Sequence, residues 1–166
     1  MTEEELRDHF HRELQHASEQ LLGPLGFLFQ GRSEESAKPE GVECAAALGF
    51  VGPNLRGTLF LATTGGSMGV SSAMHDDWLG ELANQLVGRV KNRLHKHGVD
   101  YTVSPPLVLR GTGIEAVTFG AEGHLRFRAE DGDCQISFIA KTRDLESMKP
   151  GDTDEDVLEE GDLCLF

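Results

Sequence analysis

Four residues near the middle of the chain, Asp77, Glu81, Asn84 and Gly88, stand at spacings of 4, 3 and 4. The segment that carries them, DDWLGELANQLVGRVKNRLHKH, has helical periodicity. At about 100° per residue, Leu79, Leu82, Ala83, Leu86, Val90 and Leu94 share one broad apolar face, and the four polar or small residues share the opposite one. A helix over residues 76–97 therefore offers a carboxylate and a carboxamide side by side to solvent, with a glycine one turn further on. A carboxamide both donates and accepts hydrogen bonds and carries no charge, whereas a carboxylate accepts and pairs with cations. Glycine inside a helix costs about 1 kcal/mol relative to alanine. On an exposed face it needs a reason, and close approach of another backbone supplies one. A polar stripe opposite an apolar one is also what any solvated surface helix shows, so the spacing alone leaves both readings open.

Other chemistries lack their residues. The stretch ATTGGSMG has glycines but neither the Lys-Ser/Thr ending of a phosphate-binding loop nor a dinucleotide fingerprint. The seven histidines do not gather with cysteines at metal-ligand spacing. His95 and His97 close a helix, where cations suit the dipole, and His9, His11 and His16 lie along the first helix as surface residues. Ser71 and Ser72 lack the strand-elbow-helix setting of a hydrolase nucleophile. Cys44, Cys134 and Cys164 are scattered and odd in number, which reads as reduced thiols of the core or tail. No metal site and no covalent catalyst is expected.

The elements that must position the polar helix follow from the same kind of pattern. Thr2 and Glu5 have capping-box spacing, and Leu6, Phe10, Leu14, Ala17 and Leu21 recur at helical intervals, so residues 3–22 form an amphipathic helix stopped by Gly23-Pro24. Leu25 to Phe29 reads as a first strand, and the polar run from Gly31 to Gly41 as a loop. Val42–Val51 and Leu55–Thr63, joined at Gly52-Pro53-Asn54, form an antiparallel hairpin. After the polar helix come Tyr101–Val103, a rigid Pro105-Pro106, and Leu107–Arg110. Ile114–Gly120, His124–Glu130 and Cys134–Thr142 are further strands, the last two joined at the Asp131-Gly132 turn. Two long helices with five or six mostly antiparallel strands make an α+β domain.

Length and charge bound the rest. The 166 residues suit one domain with an extension. Residues 1–143 carry 19 acids and 14 bases, but residues 144–166 carry 9 acids against Lys149 alone. The domain is therefore placed at 1–143 and an acidic tail at 144–166, whose apolar ending Leu163-Cys164-Leu165-Phe166 either folds back or docks to a partner. A net charge of −13 argues against a nucleic-acid surface. The acidic start MTEEELRDHF is no secretory signal and no apolar run reaches a membrane span, so a cytoplasmic protein with no membrane partner is expected.

Asp77-x3-Glu81-x2-Asn84, followed about 22 residues later by Pro105-Pro106, resembles the signature of the CheX/CheC/FliY chemotaxis phosphatases, and most closely the one-helix pattern of CheX. LRGTLFLATT is similar to the family's preceding strand, GELANQLVGRVKNRL to its active helix, and GVDYTVSPPLVLRG to the loop and strand that follow. One departure is the dozen residues Gly65 to Asp76, where such proteins carry a helix and a longer linker. The resemblance implies a CheC/CheX-like fold, two long helices packed on a mostly antiparallel sheet. It implies a hydrolase, a protein phosphatase acting on the aspartyl phosphate of a CheY-type receiver domain. In that reading Glu81 and Asn84 are catalytic: Asn84 orients the attacking water, and Glu81 pairs with the receiver's active-site lysine. Gly88 lets the helix lie close to the partner, and Asp77 occupies the first signature position as a further partner-binding residue. No cofactor of its own is implied, because Mg²⁺ comes with the receiver, and a homodimer joined through edge strands is expected. The competing reading is a non-catalytic module of the same fold that binds a receiver or another signalling protein.

Overall fold

The computed structural model describes residues 1–33, 41–64, 72–111, 114, 123–130 and 132–142, with the side chains of 72–77 excepted. The Ile114–Gly120 strand (apart from Ile114 itself), the Asp131 turn residue and the acidic tail lie outside the described residues.

Helix α1 spans Glu3–Leu22. Thr2 caps it in both directions: its hydroxyl accepts from the Glu5 amide at 3.2 Å, and its own amide donates to the Glu5 carboxylate at 2.8 Å. Leu6, Phe10, Leu14, Ala17 and Leu21 are buried, as the periodicity predicts. His11 is buried as well, a correction to its reading as a surface residue. Its ring lies 4.9 Å from that of Phe138, and its Nδ1 is 2.8 Å from the Arg32 guanidinium.

The first strand begins later than its apolar run suggests. Pro24 sets a short 3-10 turn over Gly23–Leu25, and Gly26, at φ 88°, reverses the chain in the left-handed region. Leu25 therefore belongs to the turn, and β1 runs Leu28–Ser33, into the stretch read as loop. The remaining strands are β2 (Val42–Val51), β3 (Leu55–Thr64), β4 (Thr102–Val103), β5 (Leu107–Arg110), β6 (Gly123–Ala129) and β7 (Gly132–Thr142). They form one seven-stranded antiparallel sheet in the order β1-β6-β7-β3-β2-β4, with β5 also on β2.

Helix α2 spans Ser72–His95, starting four residues before the expected position. Ser72 to His75 carry no helix breaker and extend the helix through the end of the stretch read as glycine-rich. Its C-terminus is closed by a Schellman motif: the Val99 amide donates to Leu94 and the Gly98 amide to His95, with Gly98 at φ 78°.

Both helices cover one face of the sheet. Leu6, Phe10 and Leu14 of α1 and Leu79, Leu86, Val90 and Leu94 of α2 join Cys44, Leu48, Leu59, Ile136 and Phe138 in a single core. Alternation in the strands sends every second residue into it. On the other face, Val42, Ala45 and Ala62 pack with Phe60 and Ile114. Beside them His124, Gln135 and Ser137 form a buried polar group, with His124 Nδ1 2.7 Å from the Ser137 hydroxyl.

Candidate active site

Helix α2 meets the core through Leu79, Leu82, Ala83, Leu86, Val87 and Val90, all buried. That packing fixes which face looks outward. Glu81, Asn84, Gln85 and Arg89 are exposed on it, and Gly88 is half-buried. The structure thus brings Glu81, Asn84 and Gly88 together on one solvent face, as their spacing predicts. Asp77 lies one helical turn before Glu81 on the same helix, and its side chain lies outside the described residues. Because α2 starts at Ser72, Asp77 stands in the second turn of the helix.

The polar groups are differently engaged. Gln85 Nε2 donates to Glu81 Oε1 at 2.9 Å. No hydrogen bond reaches the Asn84 carboxamide from any described residue, so its donor and acceptor both face water. A Cβ built on Gly88 would meet no heavy atom within 4 Å among the described residues. Packing among the described residues therefore does not demand the glycine.

Gly80 is the opposite case. A Cβ there would come within 3.2 Å of Val108 Cγ2 and 3.5 Å of Pro106 Cγ. The absent side chain lets Pro106 and β5 lie against the helix, one residue from Glu81. Ser104 anchors that segment: its amide donates to the Gly49 carbonyl at 2.9 Å and its hydroxyl accepts from the Gly49 amide at 2.9 Å. Further along, the buried Tyr101 hydroxyl donates to the Val87 carbonyl at 3.0 Å, next to Gly88. Burial holds the Tyr101 phenol well above its ordinary range, so it remains a donor at neutral pH. Lys91 and Asp100, 3.2 Å apart, bridge the helix to the same segment.

Sequence reasoning missed Gln85, Tyr101 and Ser104. For Gln85 the signal was present, since four residues from Glu81 is a contact distance on a helix. Tyr101 and Ser104 act across the fold, and nothing local marks them.

Cys44 and Cys134 are buried, and burial pushes the Cys134 thiol up to about 12, the reverse of an activated nucleophile. Among the described residues no three His, Cys, Asp or Glu side chains gather as metal ligands. No described helix is long and apolar enough to cross a membrane.

A family model described as chemotaxis phosphatase CheX matches residues 44–127. The crystal structure of a CheC-like superfamily protein from Shewanella sp. PV-4 is similar with a TM-score of 0.69 at 17% identity, covering 80% of this chain and 97% of that one. Chemotaxis protein CheX from Vibrio vulnificus is similar with a TM-score of 0.63 at 18% identity, covering 82% and 99%. A CheX–CheY–BeF3–Mg²⁺ complex from Borrelia burgdorferi gives a TM-score of 0.60 at 12% identity, covering 81% and 96%. No curated protein matches the chain. At these identities the likeness to solved structures shows the fold, which is CheC/CheX-like.

Proposed function

Because the chain belongs to the chemotaxis phosphatase CheX family, we propose that it hydrolyses the aspartyl phosphate of a CheY-type receiver domain by laying the polar face of α2 over the receiver's phosphorylation site. An aspartyl phosphate is a mixed anhydride and already reactive. The need is a water held in line with the leaving oxygen, so catalysis rests on positioning and not on a strong base. In the step, the water oxygen bonds to phosphorus as the bond from phosphorus to the aspartyl oxygen breaks. Inorganic phosphate leaves and the receiver's carboxylate is restored.

Asn84 is the group that orients this water. Its carboxamide can accept from the water and donate toward a phosphoryl oxygen, and being neutral it does not repel the anion. Glu81, three residues away on the same face, pairs with the receiver's active-site lysine and sets the docking register. Gly88 lets the receiver's backbone come close, and Asp77 borders the contact. The charge of the phosphoryl group is met by Mg²⁺ carried by the receiver, so this chain needs no cofactor of its own.

The observation that carries the reading is the exposed Asn84 carboxamide, unengaged by any described residue, beside Glu81 and a Gly88 that no described residue crowds. The CheX–CheY complex from Borrelia burgdorferi supports the choice of partner. The test is the lifetime of a phosphorylated CheY-type receiver with and without the protein. Wild type should shorten it, and Asn84→Ala should slow dephosphorylation about a hundredfold while still binding the receiver. A receiver that binds wild type yet keeps its phosphate would establish the non-catalytic module instead. Undiminished activity in Asn84→Ala would remove this helix face as the active site.

A further inference from the structure

Glu81 is an exposed glutamate with three rotatable side-chain bonds, yet its carboxylate is held. Gln85 Nε2 donates to Glu81 Oε1 at 2.9 Å, one helical turn toward the C-terminus. Around the helix axis, Gln85 lies about 40° to one side of Glu81 and Asn84 about 60° to the other. The bond to Gln85 therefore draws the carboxylate away from Asn84. Three- and four-residue neighbours are both within reach of a glutamate on a helix. Without Gln85, the Glu81 carboxylate could turn to the Asn84 amide and occupy the donor that faces water.

We infer that Gln85 is a positioning residue: its carboxamide presets the Glu81 carboxylate for the receiver's cationic group and keeps it off Asn84. The inference rests on the phosphatase reading above. A carboxylate has about four lone-pair sites, and one bond to Gln85 leaves the others for an incoming ammonium. Fixing the side chain before docking removes rotamer entropy that would otherwise be lost on binding. Gln85 has the right chemistry for this. Its amide donates to the carboxylate without neutralising it, whereas a lysine at the same place would compete with the receiver's own cation.

The test is a double-mutant cycle between Gln85 and Glu81, read as steady-state dephosphorylation of a purified CheY-type receiver charged with acetyl phosphate, using the full chain. Gln85→Met keeps the length and removes the donor. It should raise KM for the phosphorylated receiver about three- to tenfold with a smaller change in kcat, and in a Glu81→Ala background it should change neither. Unaltered melting temperatures would establish that all variants fold. An equal KM effect in both backgrounds overturns the inference, because Gln85 then acts without Glu81. So does no effect in wild type, or a kcat loss that persists unchanged in the Glu81→Ala background. A wild-type chain that leaves the receiver's phosphate untouched overturns the phosphatase reading and this role with it. Activity with equal effects in both backgrounds removes the role alone.

Discussion

A side chain introduced at Gly88 should raise stability and lower activity together. Gly88 lies inside α2, and it is not among the glycines with positive φ, so its backbone suits any L residue. A Cβ there meets no heavy atom within 4 Å among the described residues, so none of them resists it. Gly88→Ala should then recover the helix penalty of glycine, about 1 kcal/mol, which for a domain of this size raises the melting temperature by roughly 3 °C. Gly88→Leu should recover most of that. If a receiver backbone seats over this glycine, the added atoms hold it off. A displacement of about 1 Å at a positioned reaction can cost about a hundredfold in rate, so Gly88→Leu should be nearly inactive and Gly88→Ala intermediate. Thermal melting by circular dichroism gives the first quantity, and the dephosphorylation rate against protein concentration gives the second. A Gly88→Leu chain that melts higher and works at full rate would refute the docking role. A lower melting temperature in Gly88→Ala would refute the reasoning that the site is uncrowded.

Glu81→Ala should weaken receiver binding and slow dephosphorylation together, unlike Asn84→Ala; a full-rate, full-affinity Glu81→Ala chain would remove the register contact. Burial, reinforced by the Arg32 guanidinium of β1, holds the His11 imidazole down to about 4 from an ordinary 6.5, with Asp8 opposing and Arg7 adding to the shift. The unfolded chain therefore takes up a proton that the folded chain refuses, so this contribution is complete above about pH 6.5 and is lost, by up to about 3 kcal/mol, as pH falls toward 4. Denaturant titrations at about pH 7 and about pH 4.5 should show a larger loss in wild type than in His11→Gln, and equal losses would sink the assignment. The edge strands β1 and β5 expose Leu28 (69%) and Leu107 (61%), and edges unpaired among the described residues call for cover. A homodimer joined at an edge strand, with its polar α2 faces outward, is expected, and sedimentation showing only monomer at tens of micromolar would overturn it.

How much of this was legible in the sequence follows from how local each feature is. The capping box at Thr2 and Glu5 and the buried stripe from Leu6 to Leu21 lie within one helix, and the structure returns both as read. The hairpin of β2 and β3 turns at Gly52-Pro53-Asn54, where backbone chemistry alone demands a turn. The structure departs from the pattern where neighbours or distant partners override a residue's own type. Leu25 has the apolar character of a strand residue, but Pro24 and Gly26 put it in a turn. By its type His11 belongs on the solvent side, yet its helical position sets it beside Phe138 and Arg32. The buried group of His124, Gln135 and Ser137 had no signal at all, since two strands supply it and only their register brings it together.

The candidate site obeys the same logic. Glu81, Asn84 and Gly88 could be read in advance because one helix carries them, and a helix fixes its faces through spacing alone. What could not be read is what holds that helix still. Gly80 admits Pro106 and Val108, Ser104 ties their segment to Gly49, and the Tyr101 hydroxyl grips the Val87 carbonyl beside Gly88. The Gly80 and Tyr101 contacts join α2 to the chain between Tyr101 and Val108, which runs alongside it, and Ser104 pins that chain to β2. That explains in physical terms why a proline pair some twenty residues downstream belongs with a helical motif it never adjoins in sequence. Pro106 packs beside Gly80, the residue before Glu81, where a side chain would press on it. If the proposed role holds, positioning does the work, and the contacts that hold this helix face come from the neighbouring loop as well as from the helix's own core packing.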